Sequence, residues 1–337
     1  MTETLLAWYA DHGRDLPWRR TRDPYAIWLS EIILQQTRIA QGQAYWERFM
    51  AAFPDVESLA AASEDAVQRL WQGLGYYSRA RNLHAAARQI VALGGFPDTL
   101  DGIRALKGVG DYTAAAIGSI AFGLPAAVVD GNVYRVLARY YGIATPVGTT
   151  AARKEFSARA QALLPPDRPG DFNQAMMDFG ALQCTPVSPA CLLCPLADGC
   201  AALATGQVDR LPVRQKAPEV QVRRFDYIYV RYQGRTAIRR RGPGDIWQGL
   251  YEPLVCDQRL PGAACNCRHS GLDPESPKLL KSGVKHQLTH RTLIVDFYLW
   301  EPASEPALPE GYVWIEEAEL DRYAKPRLFE LMLKELE

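Results

Sequence analysis

LKGVGDYTAA, residues 106–115, decides how the first two thirds of this 337-residue chain is read. Two glycines flank Val109, and an alanine-rich run with helical patterning follows. Glycines ahead of a helix suit a dinucleotide-binding turn only when a strand precedes them, and no strand pattern precedes Leu106. The spacing instead predicts a helix, a tight Gly-Val-Gly hairpin and a second helix starting near Asp111. Without side chains, Gly108 and Gly110 let backbone N–H groups approach a phosphate closely, and the dipole of the following helix favours the anion. Such a grip is indifferent to base sequence and suits a nucleic-acid backbone. Taken alone, the ten residues equally allow a plain helical turn.

Outward from the hairpin, apolar residues recur at helical spacing in 25–34, 40–52, 64–71, 78–93, 112–122, 131–141, 151–163 and 172–182. Breaks fall at Pro54, Gly73–Gly75, Gly94–Gly95, Gly123–Pro125 and Pro165–Pro166. Past residue 205 the texture changes. RRFDYIYVRY (223–232) and HRTLIVDFYLW (290–300) carry the aromatic and β-branched residues of strands, and AKPRLFELMLKELE (324–337) reads as a short helix. The expectation is a mainly α region over 1–205, a linker at 206–223, and a small α/β or α+β domain over 224–337. Two domains also suit the length. Residues 261–277 read as an irregular loop.

Lys and Arg number 38 and Asp and Glu 38, so a protein coated in positive charge is excluded. Basic residues nonetheless cluster. Arg210 to Arg241 holds ten Lys or Arg against Glu219 and Asp226, and a second knot runs Arg14, Arg19, Arg20, Arg22. Charge alone fits a face turned to a polyanion or a solvated linker equally well. The amino terminus lacks a signal-peptide pattern, and the longest apolar stretch, 114–129, is interrupted by Ser119, Gly123 and Pro125. No membrane span is expected, and the cytoplasm is the expected compartment.

Three features stand out chemically. Cys184, Cys191, Cys194 and Cys200 have the spacing C-x6-C-x2-C-x5-C. Zinc fingers usually split their cysteines into separated pairs, whereas one wrapping segment suits a [4Fe–4S] cluster; zinc is the alternative. Cys256, Cys265 and Cys267 read as structural or loop residues. Glu31 sits between Ile27 and Leu34 on the apolar stripe of a helix opened by Asp23 and Pro24. A carboxyl there should have its pKa raised, as a general acid needs, unless an arginine pairs with it. Asp130 precedes a helical run and taken alone reads as an N-cap.

Taken together, LPWR (16–19), SEIILQQTR (30–38), GLGYYSRARNL (73–83), LKGVGDYTA (106–114), VDGNVYRVLAR (129–139), FNQAMMDFGALQC (172–184) and the cysteine loop resemble the helix-hairpin-helix DNA glycosylases of the endonuclease III superfamily. Within that superfamily the likeness is to the MutY-type adenine DNA glycosylases. The resemblance implies a six-helix barrel at about 22–126 and a cluster domain formed by the N-terminal helix with 127–205. Beyond them it implies a C-terminal MutT-like lesion-recognition domain. The implied substrate is double-stranded DNA with adenine opposite 8-oxoguanine or guanine, bound by a monomer in use at a bacterial nucleoid. Glu31 would protonate adenine and Asp130 would face the sugar, with Asn132 beside it. Arg19 and Gln174 would contact the extruded base, Gln36, Leu74 and Tyr76 would fill and wedge the stack, and Gly108 and Gly110 would hold the backbone. Bifunctional relatives place a lysine where this chain has Tyr112. A phenol cannot form an imine, so hydrolysis without strand cleavage is implied. GDIWQGLYEPL (244–254) and VKHQLTHRTLIVDFY (284–298) carry the C-terminal likeness, without a glutamate-rich Nudix box. The family's Phe-Ser-His loop reads Leu288, Thr289, His290 here, which keeps a hydroxyl and loses an aromatic face. The rival readings are a thymine-mismatch glycosylase, a bifunctional lyase, and a non-catalytic Fe–S DNA-binding protein.

Overall fold

A computed structural model describes residues 1–215, 220–257 and 277–337. Twelve helices come first: α1 (Thr2–His12), α2 (Pro24–Leu34), α3 (Ile39–Ala52), α4 (Val56–Ala61), α5 (Glu64–Trp71), α6 (Ser78–Ala92), α7 (Leu100–Arg104), α8 (Asp111–Phe122), α9 (Gly131–Tyr141), α10 (Thr150–Leu163), α11 (Pro169–Leu182) and α12 (Ala201–Ala204). Strands β1 (Gln221–Tyr232), β2 (Arg235–Arg240), β3 (Tyr251–Glu252), β4 (Leu254–Cys256), β5 (Lys278–Gln287), β6 (Arg291–Trp300) and β7 (Tyr312–Glu316) follow, and α13 (Arg327–Lys334) closes the chain. The chain divides into two compact units. One comprises Met1–Ala61 with Asn82–Lys216, the other Ala62–Arg81 with Ala217–Glu337.

Local chemistry sets the helix ends of the first unit. Asp23 caps α2, accepting from the Tyr25 amide at 3.0 Å, with Pro24 at the first helical position. Thr149 caps α10 in the same way, and Gly123 and Gly142 end α8 and α9 in the left-handed conformation. The hairpin forms as the spacing predicts. Gly108 has φ +79°, and a Cβ there would lie 2.6 Å from Asn82 Cβ, so conformation and space both demand glycine. Gly110 caps α8, which starts at Asp111. Helices α2 and α11 flank α8. One core gathers Leu5, Trp8, Leu137, Phe156, Phe172 and Phe179, and a smaller one gathers Ile27, Ala116, Ile120 and Val128. Leu211 is buried in the larger core, and Val147 pairs with Arg214. The start of the expected linker is therefore packed structure.

In the second unit the described strands form one mixed sheet with the order β3-β2-β1-β6-β5; β4 pairs with β1 and β7 with β2. At its centre β1 and β6 run parallel, from Gln221 opposite Arg291 to Val230 opposite Trp300. Phe225, Tyr227, Tyr229, Leu293, Val295 and Phe297 alternate toward the core, where Leu328, Phe329 and Met332 of α13 meet them. Sequence patterning missed the strands 235–240, 251–252, 254–256, 278–287 and 312–316. Arg239 and Arg240 in 235–240, and Lys278 and Lys281 in 278–287, interrupt any clean alternation, and the other three segments are short.

Charge alone left the two basic clusters open, and most of their residues are paired with acids in the fold. Arg223 pairs with Asp245 at 2.7 Å and Asp257 at 2.6 Å, Arg231 with Glu317 at 3.0 Å, and Arg235 with Glu305 at 2.6 Å. Arg239 and Arg241 share the buried Glu252, and Arg240 meets Glu64 at 3.1 Å. Arg14 and Arg19 converge on Asp178, Arg20 pairs with Asp15, and Arg22 donates to the Ile120 carbonyl at 3.1 Å. Most of the acids lie far from these arginines in sequence, so a local charge count could not see them. The reading of 261–277 as a loop, and Cys265 and Cys267, lie outside the described residues except for Pro277; Cys256 is buried on β4.

Candidate active site

In the first unit a cavity of about 410 Å³ opens among α2, α8, the N-terminus of α9 and α11. Arg19, Glu31, Gln36, Tyr112, Asp130, Asn132 and Gln174 all line it. These seven come from five separate sequence segments, and only folding brings them together. Glu31 keeps some accessible surface because the cavity is open, yet protein surrounds its carboxyl. Burial pushes its pKa up to about 7, against the opposing influence of the Tyr112 hydroxyl and Arg19. Tyr112 donates to Met177 Sδ at 3.6 Å and faces Glu31 closely enough to favour the ionised carboxylate.

Asp130 is both an N-cap and a cavity residue. Its Oδ1 accepts from the Asn132 and Val133 amides at 2.9 and 2.8 Å, and its Oδ2 from Asn132 Nδ2 at 2.7 Å. Burial raises its pKa, and these three donors oppose the rise by stabilising the anion. A carboxyl that holds its proton near neutrality thus shares a cavity with a carboxylate braced by three N–H donors. Such a pair can give a proton to a leaving group and stabilise positive charge on the group left behind. Arg19 donates to Asp178 at 2.7 and 2.9 Å, and Gln174 accepts from the Tyr9 hydroxyl at 3.3 Å. Gln36 takes the left-handed φ of +57°, on the bend that ends α2.

Cys184, Cys191, Cys194 and Cys200 ring a small void of about 30 Å³ beside Arg139. Arg139 is buried, donating to Cys184 Sγ at 3.4 Å and to the Thr185 carbonyl at 2.7 Å. Burial first, and then each of the other three thiols, disfavours ionisation of Cys194. Among the described residues no three close on a single-ion point. Four soft ligands spread around one void fit a multi-iron cluster better than one zinc.

Comparison with known proteins agrees. Residues 29–165 match the model of the HhH-GPD superfamily of base excision DNA repair proteins, and 184–200 match the iron-sulfur binding domain of endonuclease III. The adenine DNA glycosylase of Buchnera aphidicola subsp. Acyrthosiphon pisum is 34% identical over 253 residues, covering 74% of this chain and 72% of that protein. The chain belongs to the adenine DNA glycosylase family. The human adenine DNA glycosylase is 45% identical over 236 residues, 64% of this chain, which spans only 43% of that longer protein. Among solved structures, a thermostable thymine-DNA glycosylase is 31% identical with a TM-score of 0.56, covering 60% of this chain and 95% of that one. An endonuclease III–DNA covalent intermediate, 22% identical with a TM-score of 0.53, shares the fold over 61% of this chain and 94% of its own. As in the endonuclease III iron-sulfur domain, the cysteine loop of this adenine DNA glycosylase family member carries a [4Fe–4S] cluster.

Residues 226–335 of this family member match the NUDIX domain. Leu74, Tyr76, Thr289 and His290 do not join the first cavity; they line another, of about 1000 Å³, within the second unit. The Tyr76 and Thr289 hydroxyls hydrogen-bond there, and Trp247 and Arg291 form further wall. Gly108 and Gly110 line neither cavity. Sequence reading missed Met177 and Asp178. Both lie one helical turn beyond Gln174 on α11, and that i, i+3 and i+4 spacing was the available signal.

Proposed function

We propose that this chain is a monofunctional glycosylase that removes adenine mispaired with 8-oxoguanine or guanine from double-stranded DNA, acting as a monomer. The observation that carries the reading is the pairing, in one cavity, of Glu31 held protonated near neutrality with the braced carboxylate of Asp130. The deoxyadenosine nucleotide is flipped from the stack into this cavity, with Gln36 filling the gap and Leu74 and Tyr76 wedging the duplex. Glu31 donates its proton to adenine N7 as the C1′–N9 bond breaks and its electron pair leaves with the base. Asp130, oriented by Asn132, stabilises the positive sugar by its charge or by transient attachment at C1′. Water then adds at C1′ and returns a proton to Glu31. Arg19 and Gln174 hold the edge of the base.

Tyr112 supports hydrolysis rather than strand cleavage. The position that would present an amine presents a phenol, and no lysine is among the residues lining the cavity. The amides at Gly108 and Gly110 grip a phosphate. Cys184, Cys191, Cys194 and Cys200 ligate the cluster, which fixes their loop in shape; every proton transfer belongs to the protein's own side chains. Thr289 and His290 read the base opposite adenine by hydrogen bonding. The test is to incubate the protein with duplexes carrying A opposite 8-oxoguanine, G, C or T, and T opposite G, and to assay the released base. Free adenine from the first two is expected; thymine release, or no base at all, overturns the reading.

A further inference from the structure

The arginines beside Glu31 raise a question that the cavity's chemistry leaves open. A buried carboxyl near a guanidinium normally ionises and pairs with it, which would spoil a general acid. Arg19 is close enough to favour the charged form of Glu31, and Arg14 also lines the cavity. Yet Glu31 makes no ion pair among the described residues, because both guanidinium groups are turned to Asp178 on α11. The Asp178 carboxylate is completely buried. Its Oδ1 accepts from Arg14 Nε at 2.9 Å, from Arg14 Nη2 and from Arg19 Nη2 at 2.9 Å. Its Oδ2 accepts from the Arg14 amide at 2.9 Å and Arg19 Nη1 at 2.7 Å. Arg19 Nη1 also donates to the Arg14 carbonyl at 3.1 Å, and its guanidinium lies 5.7 Å from the centre of the Tyr9 ring.

We infer that Asp178 is a positioning residue which, by engaging Arg14 and Arg19 together, keeps the Glu31 carboxyl free of an ion pair and able to carry its proton. The role rests on the reading of Glu31 as the general acid. It works by geometry. Both carboxylate oxygens are saturated with donors, and the fork of Arg19 is spent on them, so its remaining reach is toward a substrate edge rather than toward Glu31. The other ionisable groups around Glu31 are Tyr112 on α8, Asp130 before α9, and Arg38 at the rim ahead of α3; Tyr9 on α1 faces Arg19. None of these supplies a second anion for Arg19: Asp130 is held by Asn132 and Val133, and the tyrosines are neutral.

Asp178→Asn removes the anchor while keeping shape. Arg19 should then turn to Glu31, and the alkaline limb of the single-turnover pH–rate profile should move about one unit toward acid. The rate at pH above neutrality would fall about tenfold, while the rate near the acid end would change little. Asp178→Glu should restore most of the profile. Because the asparagine variant strands two partly buried cations and can fail to fold, Asp178→Asn with Arg14→Gln provides a second route. That pair preserves the net charge of the trio, still frees Arg19, and should show the same displacement. Isotope-labelled carboxyl NMR on DNA-free protein, assigned with Glu31→Gln, reads the Glu31 titration directly. It should show the same downward shift even if no duplex yields free adenine, an outcome that would sink the proposed activity but not the pairing. A Glu31 titration unmoved in whichever variant folds, with the rate scaled equally at every pH, would show that Asp178 merely supports the fold.

Discussion

At the residue scale, Glu31 is a site of conflict between catalysis and stability. With Glu31 as the proposed acid, its pKa of about 7, raised by burial, predicts that the rate falls as pH rises through that value. In the same proposal Asp130 acts as the anion, and its pKa is also raised, so activity should fall again toward lower pH. The same shift bears on folding. A group whose native pKa exceeds its unfolded value of 4.5 holds a proton in the native state that the unfolded chain has lost, so stability falls as pH rises from 4.5 to about 7. Above that range the burial of the charge costs on the order of 3 kcal/mol. Glu31→Gln should therefore abolish adenine release yet raise the unfolding temperature by a few degrees at pH 8, with little gain at pH 5. Thermal scans at the two pH values decide it; equal effects at both would mean that the carboxyl is not strained by burial. Tyr112 invites the complementary change. Borohydride should trap little wild-type protein on DNA, whereas Tyr112→Lys should yield a trapped adduct. Efficient trapping of the wild type would show that some other amine reaches C1′.

At the scale of elements, most of the helical framework was legible. Asp23–Pro24 marked the start of α2, and Gly123 marked the end of α8, because caps and left-handed turns are decided by residues within a few positions of each other. Gly108 was legible for the same reason, though the Asn82 side chain that leaves no room for a Cβ was not. Asp130 looked like a cap and is one; nothing local could say that its second role arises from lining a cavity with Glu31. The short α4 and α7 and the edge strands β3 and β4 escaped because too few residues are available to establish a period. The cysteine loop has little regular structure, only single turns at Cys191–Leu193 and Ala197–Gly199. Arg139 and Gln183 tie it through the Thr185, Pro186 and Ala190 carbonyls. The purified protein should hold about four iron and four sulfide per chain, and Cys191→Ser should lower both the iron content and duplex affinity. One zinc and no sulfide on elemental analysis would refute the cluster.

For the whole molecule, strand texture announced a second domain, but not which residues would share its cavity. Tyr76 and Thr289 are 213 positions apart and yet hydrogen-bond, and no periodic pattern links them. If Thr289 also reads the opposing base, Thr289→Ala should lower the preference for 8-oxoguanine over guanine about fivefold, on the order of 1 kcal/mol, in competition at limiting enzyme. An equal loss on both substrates would make this region a general clamp instead.

The committed arginines carry a consequence of their own. Lysines and arginines that neutralise DNA phosphates expel condensed counterions, and each one steepens the fall of affinity with salt. Here Arg223, Arg231, Arg235, Arg239 and Arg241 are already matched by carboxylates of their own unit, and Arg14 and Arg19 by Asp178. With Arg20 and Arg240 also paired to acids, nine of the fourteen cations in the two basic clusters already have a carboxylate partner, which reduces the number that displace sodium from a duplex. A plot of log affinity against log salt should have a shallow slope, nearer about −3 than the −6 to −9 of proteins that grip many phosphates through side chains. Holding DNA through neutral backbone amides, such a protein would keep its grip at ionic strengths that strip a cationic clamp from the helix.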